Sequence, residues 1–361
     1  MSMTKALHDL GQSLWLDNIT REILDDGTLR RYIEQYSITG LTSNPTIFDE
    51  AIGKTAAYDK GIRQKAEAGL SGEDLFVELA LEDLRRAADL FRPEFDRTKG
   101  IDGWVSMEVS PLLANDTQGT VDAALRIYKQ AGRPNLYVKI PGTPAGVPAI
   151  EAAIFAGVPV NVTLLFSREQ YLKVADAYLR AIERRIAAGL DPKINSVASV
   201  FVSRWDRAVA DKVPPELSNR LGIAIMQRTY RAHGELIGGQ RWKDLEAKGA
   251  RKQRMLWAST GTKDPKAPAG LYVEALAAPD TVDTMPEKTL LAFAAAGGKL
   301  PGVMPKDGGD AEEVLARFAR AGIDVNALAT QLQAEGAASF VKSWTELMQR
   351  IQEKSAALAT T

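Results

Sequence analysis

Short apolar runs alternate along the chain with longer segments of helical periodicity, an alternation typical of a parallel α/β fold. Eight of the runs have the length and the residue types of β-strands. They span residues 14–18, 38–44, 104–109, 136–140, 158–165, 195–202, 255–260 and 272–277. Eight strands in a chain of 361 residues favour a (β/α)8 barrel, the TIM barrel, over a doubly wound sheet.

The connections between the predicted strands are uneven in length. Residues 45–103 and 203–254 are long enough to hold extra helices, whereas residues 261–270 are too short and too rich in proline for a crossover helix. After the eighth predicted strand, helical patterns cover residues 285–296, 310–321 and 337–357. We predict one barrel domain over residues 1–361 with a C-terminal helical extension. The pattern leaves open whether the last helix is a lid, a dimer contact or plain packing.

The predicted strands carry polar side chains on one face and aliphatic side chains on the other. Side chains alternate in direction along a strand, so Lys139 shares a face with Tyr137 and opposes Leu136, Val138 and Ile140. The aliphatic face of a barrel strand packs against the helices, so the polar face points to the barrel axis. By the same reasoning, the polar side chains of Asp17, Glu108, Asn161 and Thr163 point to the barrel axis.

Most of these polar residues lie in the second half of their predicted strands, at the end where barrel enzymes place catalysis. The set comprises Asp17, Asn44, Glu108, Lys139, Thr163, Ser199 and Ser259. A barrel interior needs only packing for stability, so this many inward polar groups indicate a functional site.

Composition narrows the chemistry that such a site could use. Lys plus Arg number 45 and Asp plus Glu number 46, a balance that argues against a general nucleic-acid binder or a basic membrane-surface protein. There is no cysteine and there are only two histidines, His8 and His233, which argues against disulfides, thiol nucleophiles and three-His metal sites. The chemistry therefore rests on lysine, carboxylates, hydroxyls and amides. The first twelve residues lack the apolar core of a secretory signal, so we expect a cytoplasmic protein.

Lys139 is the candidate for a reactive amine. Most lysines are solvated surface groups, but this one lies within the apolar run NLYVKIPGT. Desolvation disfavours the ammonium form, and a neutral amine attacks a carbonyl to form a Schiff base. Glu108 and Asp17 would divide the acid–base work, or would instead form a structural ion pair with Lys139.

The remaining candidates would bind a polyhydroxy, phosphorylated substrate. Asn44, Asn161, Thr163 and Ser199 offer hydrogen bonds, although backbone capping or a satisfied core amide would explain each one. Arg204 and Lys263 follow the sixth and seventh strands, where barrels often bind phosphate, although each could be a solvated loop cation.

Several of these segments together resemble the transaldolase family. The matching segments are WLD (15–17), GLTSNPTIF (40–48), SMEVSP (106–111), NLYVKIPGT (135–143), VNVTLLFS (160–167) and SVFVSRWD (199–206). The resemblance runs from about residue 12 to residue 292 in the order of the strands. The segments WASTGTKDP and APDTVDTMPE resemble a longer bacterial subgroup.

The resemblance implies a TIM barrel and a reaction of the non-oxidative pentose phosphate pathway, without metal or organic cofactor. Lys139 would form an imine with sedoheptulose 7-phosphate or fructose 6-phosphate, and Asp17 would remove the C4 hydroxyl proton. A dihydroxyacetone unit would then pass to glyceraldehyde 3-phosphate or erythrose 4-phosphate. Glu108 would relay protons with a water and Thr163. The substrate-binding residues implied by the resemblance are Asn44, Asn161, Ser199, Arg204, Ser259 and Lys263.

The sequence departs from the family pattern at two places. Lys263 stands where better-known shorter members have an arginine, and Val200 follows Ser199 where many members have proline. One alternative is a fructose-6-phosphate aldolase of the same superfamily, although those members tend to lack the glutamate present here as Glu108. A non-catalytic sugar-phosphate-binding barrel is the alternative from another class. We expect sugar phosphates as partners, no nucleic acid or membrane, and a monomer or a homodimer.

Overall fold

The computed structural model of this chain describes residues 2–359 and contains an eight-stranded, wholly parallel sheet. Its strands are β1 (Ser13–Asp17), β2 (Ile38–Thr42), β3 (Val105–Glu108), β4 (Leu136–Pro141), β5 (Val160–Leu165), β6 (Ser196–Phe201), β7 (Gln253–Ala258) and β8 (Val282–Met285). Their order in the sheet is β2-β1-β8-β7-β6-β5-β4-β3. At the open seam, Leu41 N donates to Trp104 O at 3.0 Å, which brings β2 against β3 and completes a nearly closed barrel.

Sixteen α-helices within the described residues surround and cap this barrel. They are α1 (Met3–Leu10), α2 (Arg21–Asp25), α3 (Thr28–Tyr36), α4 (Pro45–Lys54), α5 (Asp59–Glu67), α6 (Gly72–Arg97), α7 (Thr117–Ala131), α8 (Gly146–Phe155), α9 (Arg168–Ala187), α10 (Ser203–Val209), α11 (Leu221–Gly238), α12 (Gln240–Ala247), α13 (Leu271–Ala275), α14 (Glu287–Ala296), α15 (Ala311–Arg320) and α16 (Val325–Ala359). Short 3₁₀ turns lie at Pro111–Leu113 and Pro215–Leu217. The two long connections hold three helices each, which confirms the prediction of extra helices there. None of the helices in residues 2–359 has the length and apolarity needed to cross a membrane.

The predicted TIM barrel is confirmed, but the eighth strand was placed wrongly. Residues 272–277, expected as a strand, lie on α13 and just beyond it, and the true last strand is Val282–Met285. The buried positions Tyr272, Val273 and Leu276 have the spacing of one helical face, which a short apolar run also fits. The true strand carries a buried Asp283 and so does not read as an apolar run. The crossover between β7 and β8 therefore spans residues 259–281 and includes a short helix.

The C-terminal helix α16 is longer than the pattern predicted, since it begins at residue 325 and not at 337. Asp324 caps it by accepting hydrogen bonds at 3.0 Å from the backbone of Asn326 and Ala327. Gly336 lies inside α16, at a point where the helix approaches the barrel closely. A Cβ on Gly336 would come within 2.8 Å of Leu164 and 3.1 Å of Arg204.

Side-chain contacts fix α16 across the mouth of the barrel. Gln333 Nε2 donates to Gly142 O at 2.9 Å and to Leu164 O at 3.0 Å, so it links the ends of β4 and β5. Further along, Arg350 pairs with Asp49 of α4 at 2.7 Å, and Lys354 pairs with Asp59 of α5 at 2.7 Å. The helix therefore lies over the same end of the barrel as the polar strand termini.

Aromatic rings fill the barrel interior below that mouth. Trp104 stacks on Tyr137 with ring centroids 4.0 Å apart, and Trp15 lies against Tyr137 at 6.1 Å. Asp102 accepts hydrogen bonds from the Trp15 indole, at 2.9 Å, and from Ser13. Trp15 and Tyr137 each lie two residues before a polar residue on the same inner face, so they form the floor of the space above.

Candidate active site

A cavity of ≈ 120 Å³ opens at the C-terminal mouth of the barrel, between the strand ends and α16. Nine of the ten residues singled out from the sequence line it: Asp17, Asn44, Lys139, Asn161, Thr163, Ser199, Arg204, Ser259 and Lys263. The tenth, Glu108, contacts the side chain of Lys139. Asn44 and Ser259 lie just beyond β2 and β7 and not within them. All ten residues therefore lie at one end of the barrel, eight of them expected from the faces of the strands and Arg204 and Lys263 from their positions after the sixth and seventh strands.

Lys139 is buried, with only 6% of its surface exposed, in the middle of β4. Its Nζ donates to Ser43 O at 2.9 Å and lies 3.3 Å from Glu108 Oε2. Glu108 and Lys139 are register partners on β3 and β4, so the parallel pairing itself places the two side chains next to each other. The amine has one partner carboxylate and an open side toward the cavity.

The carboxyl group of Glu108 is buried, and this burial changes its acidity. Burial raises its pKa, and the nearby charge of Lys139 opposes that rise without cancelling it, while the charge of Asp17 adds to it. A raised pKa makes the carboxylate a stronger proton acceptor. The pair is therefore arranged so that a proton can pass between Nζ and Oε2, with both groups neutral after the transfer.

Two threonine hydroxyl groups form a hydrogen-bonded chain that ends at the carboxylate of Asp17. Thr42 Oγ1 donates to Asp17 Oδ1 at 2.7 Å and lies 2.6 Å from Thr284 Oγ1. A hydroxyl has one proton, so Thr42 gives its own to Asp17 and accepts one from Thr284. Burial raises the pKa of Asp17, whereas Lys139 and the Thr42 hydrogen bond lower it. Its environment differs from that of Glu108, which has no hydroxyl donor among the described residues.

Hydroxyl groups on two other strands, β3 and β6, fix the amide of Asn161 at the centre of the cavity. Asn161 is fully buried, and its Oδ1 accepts a hydrogen bond from Ser199 Oγ at 2.6 Å while its Nδ2 donates to Ser106 Oγ at 3.2 Å. Ser199 therefore orients Asn161. The second Nδ2 proton of Asn161 has no partner within residues 2–359 and is available to a ligand.

Two further polar residues complete this wall. Thr163 Oγ1 is buried and has no hydrogen-bond partner within residues 2–359, so a bound water or ligand is the partner it needs. Asn44 Oδ1 caps α4 by accepting the Ile47 N–H at 3.0 Å, which fixes the amide and leaves its Nδ2 for the cavity.

Cationic groups gather at the outer rim. The Arg204 guanidinium lies over the ring of Phe201, 5.0 Å from its centroid, and 5.9 Å from that of Phe340 on α16. Burial, followed by the like charge of Arg207, lowers the pKa of Arg204, while Glu108 and Asp17 oppose this. Arg204 and Lys263 make no ion pair within residues 2–359. An arginine packed between two rings without a carboxylate partner is a ready receptor for an anion.

The sequence model of one family, described as Transaldolase/Fructose-6-phosphate aldolase, matches residues 14–351 of this chain. The chain belongs to this family. The transaldolase of Saccharopolyspora erythraea is 43% identical over 98% of each chain. The transaldolase of Thiobacillus denitrificans is 41% identical over 97% of this chain and 100% of its own, and that of Thermobifida fusca is 43% identical over 99% of both.

Some residues that line the cavity of this transaldolase/fructose-6-phosphate aldolase family member were not singled out from the sequence. Thr42 donates to Asp17 and Thr284 contacts Thr42, while the rings of Phe201 and Phe340 lie against Arg204. Thr42 shares the inward face of its strand and lies two residues before Asn44, so the alternation rule could have found it. Thr284 was out of reach because the eighth strand was misplaced. Nothing in the local pattern around Phe340 indicates that α16 crosses the mouth.

Proposed function

We propose that this protein is a transaldolase, which moves a dihydroxyacetone unit from a ketose phosphate to an aldose phosphate through a Schiff base on Lys139. The observation that carries the proposal is the buried amine of Lys139, 3.3 Å from Glu108 Oε2, at the edge of a cavity that also holds Asp17. The names of the relatives and their full-length similarity support it.

The first stage is formation of the imine. Lys139 Nζ gives a proton to Glu108 and attacks the C2 carbonyl of the ketose, which makes a carbinolamine. Glu108 returns the proton to the carbinolamine hydroxyl, and water leaves as the C=N bond forms. Thr163, whose hydroxyl lacks a protein partner within the described residues, and a bound water carry protons between Glu108 and the substrate.

The second stage is carbon–carbon cleavage. The ionised carboxylate of Asp17 accepts the proton of the C4 hydroxyl, the C3–C4 bond breaks, and its electron pair moves into the protonated imine to give an enamine. An aldose phosphate leaves while the three-carbon unit stays bound to Lys139. Asn44 and Asn161 bind the hydroxyls of that unit with amide protons that the protein leaves free.

The third stage reverses the second with another aldose. The enamine carbon attacks the aldehyde of glyceraldehyde 3-phosphate or erythrose 4-phosphate, and Asp17 returns its proton to the new hydroxyl. Hydrolysis of the imine through Glu108 releases the new ketose and restores the amine. Arg204 and Lys263 bind the phosphate at the rim, together with Ser259, and Ser199 keeps Asn161 oriented.

Borohydride trapping tests the proposal directly. Reduction in the presence of fructose 6-phosphate should add one three-carbon unit to the peptide that contains Lys139, as read by mass spectrometry, and Lys139→Met should prevent it. No adduct, or an adduct on another lysine, would overturn the assignment.

Dependence on an acceptor separates the transaldolase from the aldolase. Adding erythrose 4-phosphate should stimulate consumption of fructose 6-phosphate at least tenfold. Equal rates with and without acceptor, accompanied by free dihydroxyacetone, would identify the aldolase. Binding of fructose 6-phosphate with no adduct and no turnover under either condition would favour the non-catalytic sugar-phosphate-binding barrel.

We place the reaction in the non-oxidative pentose phosphate pathway, where these sugar phosphates are exchanged. A cytoplasmic location, a monomeric or homodimeric state and the absence of nucleic-acid binding stay predictions. Sedimentation velocity distinguishes a monomer of 39.2 kDa from a dimer.

A further inference from the structure

A second cavity, of ≈ 320 Å³, lies at the opposite end of the barrel from Lys139. Lys252 immediately precedes β7 and Asp280 precedes β8, so both mark the N-terminal ends of the strands. Tyr230, His233 and Gly234 line the cavity from the second half of α11. It shares no lining residue with the cavity at the mouth.

His233 presents a hydrogen-bond donor to this cavity. The imidazole is 4% exposed, and its Nδ1 lies 2.7 Å from the hydroxyl of Tyr171, which is itself buried. That hydroxyl has no other partner within residues 2–359, so its proton is satisfied only if it donates to Nδ1. The tautomer that follows carries its proton on Nε2, which has no partner among the described residues. Burial lowers the pKa of His233 to about 4, so the ring stays neutral and keeps this arrangement near pH 7.

Gly234 keeps the cavity open. It lies inside α11, where glycine is the least favourable residue after proline, yet no atom within 4 Å would meet a Cβ added there. The glycine is therefore not required by close packing against a neighbouring element. Its missing side chain leaves free volume beside His233.

The charge of the lining is positive. Asp280 is engaged by two cations, since Lys252 Nζ donates to Asp280 Oδ2 at 2.5 Å and Arg254 Nε lies 3.5 Å from Asp280 Oδ1. Lys306 also lines the cavity and makes no ion pair within residues 2–359. The ring of Tyr230 adds an aromatic wall and leans on Trp257, with centroids 6.3 Å apart.

We propose that this cavity is a binding site for a small organic anion, a carboxylate or a phosphate monoester carried on a flat body about the size of one ring. The anionic oxygens accept from His233 Nε2 and pair with Lys306 and Lys252, and the flat body lies against Tyr230. The site is separate from the reaction at Lys139 and does not depend on the proposed function.

Isothermal titration with three probes tests this inference. Benzoate and phenyl phosphate carry the two anionic groups on the same ring, and benzamide is the matched neutral control. We expect at least one of the two anions to bind ten times more tightly than benzamide, and the better one identifies the ligand class. Equal binding of all three probes would overturn the proposal.

Amino-acid substitutions in the cavity lining test whether the anions bind there. Gly234→Leu should abolish anion binding by filling the cavity, whereas Gly234→Ala should leave binding within twofold of the unsubstituted protein. Both variants should fold, because each replaces glycine by a better helix former in open space. Lys306→Gln should weaken anion binding at least fivefold, and Lys243→Gln, an exposed lysine on α12, should not change it.

The same titrations distinguish anion binding in this cavity from anion binding at the catalytic mouth. Anions bound there, at Arg204 and Lys263, would bind Gly234→Leu as tightly as the unsubstituted protein, and that result would refute the site. Loss of binding in Gly234→Leu together with unchanged turnover of fructose 6-phosphate would establish it as an independent site.

Discussion

The Thr42 hydroxyl donates to the Asp17 carboxylate at 2.7 Å and is held in turn by Thr284 at 2.6 Å. This hydrogen bond favours the ionised form of Asp17 and opposes the effect of burial. Lys139, Lys263 and Arg204 act in the same direction as the hydroxyl. Burial still raises the pKa of Asp17 overall, and groups on four other segments of the barrel limit that rise for the residue proposed to take the C4 hydroxyl proton.

Thr42→Val should raise the pKa of Asp17 further, because it removes a hydrogen bond that favours the ionised carboxylate. Asp17 acts in its ionised form, so the acidic limb of the kcat/KM profile should move to higher pH, with near-normal rates above it. Thr284→Val should give a smaller shift in the same direction. An unmoved limb in Thr42→Val would show that another group controls it.

Lys139→Met should lower turnover by on the order of 10⁴-fold or more, because the covalent intermediate cannot form. Fructose 6-phosphate should still bind through the phosphate rim. The variant leaves Glu108 buried without its cation, so the pKa of Glu108 should rise further. A carboxyl with a folded-state pKa above its unfolded value loses stabilisation as pH rises through that interval. Thermal melts of the variant should therefore match the unsubstituted protein near pH 5 and fall below it near pH 8.

Arg204→Met should raise KM for fructose 6-phosphate about 10- to 100-fold, since a charge-assisted contact to phosphate contributes roughly 1.5–3 kcal/mol. The rate with unphosphorylated fructose, which lacks that contact, should change little. Phe340→Leu removes one of the two rings beside Arg204 and should give an intermediate rise in KM. A parallel loss with fructose would indicate that Arg204 acts on the reacting carbons and not on the phosphate.

Asp283→Asn should change how stability depends on pH. Asp283 is fully buried, accepts from Thr260 Oγ1 at 2.9 Å, and leaves Oδ2 without a partner within residues 2–359. Burial raises its pKa from 3.8 to about 7, so its stabilising contribution is complete below pH 4 and is lost as pH rises to 7. The full effect is on the order of 4 kcal/mol.

Chemical denaturation at several pH values checks this expectation. The free energy of unfolding of Asp283→Asn should fall less between pH 4 and pH 8 than that of the unsubstituted protein. Glu274→Gln, a partly exposed carboxyl on α13 with no ion pair within the described residues, is the control, and its pH dependence should be unchanged. Identical slopes for all three proteins would contradict the assignment to Asp283.

Strand alternation predicted most of the barrel and most of the residues at its mouth, because a parallel strand with one polar face states directly which side chains point inward. Lys139 illustrates this, since Leu136, Val138 and Ile140 on the opposite face of β4 are all aliphatic. Features set by tertiary contact were beyond the sequence. The sequence pattern did not predict β8, because the buried carboxyl group of Asp283 interrupts the apolar run of that strand.

The position of α16 is the clearest case of tertiary control. Gln333 donates to two backbone carbonyls, a contact that the local sequence pattern does not predict, and Phe340 on the same helix lines the cavity. The predicted helix began only at residue 337, whereas Gly336 lies within α16, where a Cβ would come within 2.8 Å of Leu164. Propensity and periodicity describe a segment alone, whereas these contacts depend on which surface it meets.

The Lys139–Ser43 hydrogen bond, next to the seam between β2 and β3, limits which partners the Lys139 nitrogen can keep during the reaction. An ammonium group has three protons to share, but a protonated imine has one. Once the substrate is attached, that single proton cannot serve both Ser43 O and Glu108, so one partner must be released. If Ser43 O keeps the imine proton, the Glu108 carboxylate is free to exchange protons with water, which hydrolysis of the imine requires. The contact between Lys139 and the end of β2 is then also kept. Attachment of the sugar would then itself switch Glu108 from a counter-ion into a proton carrier.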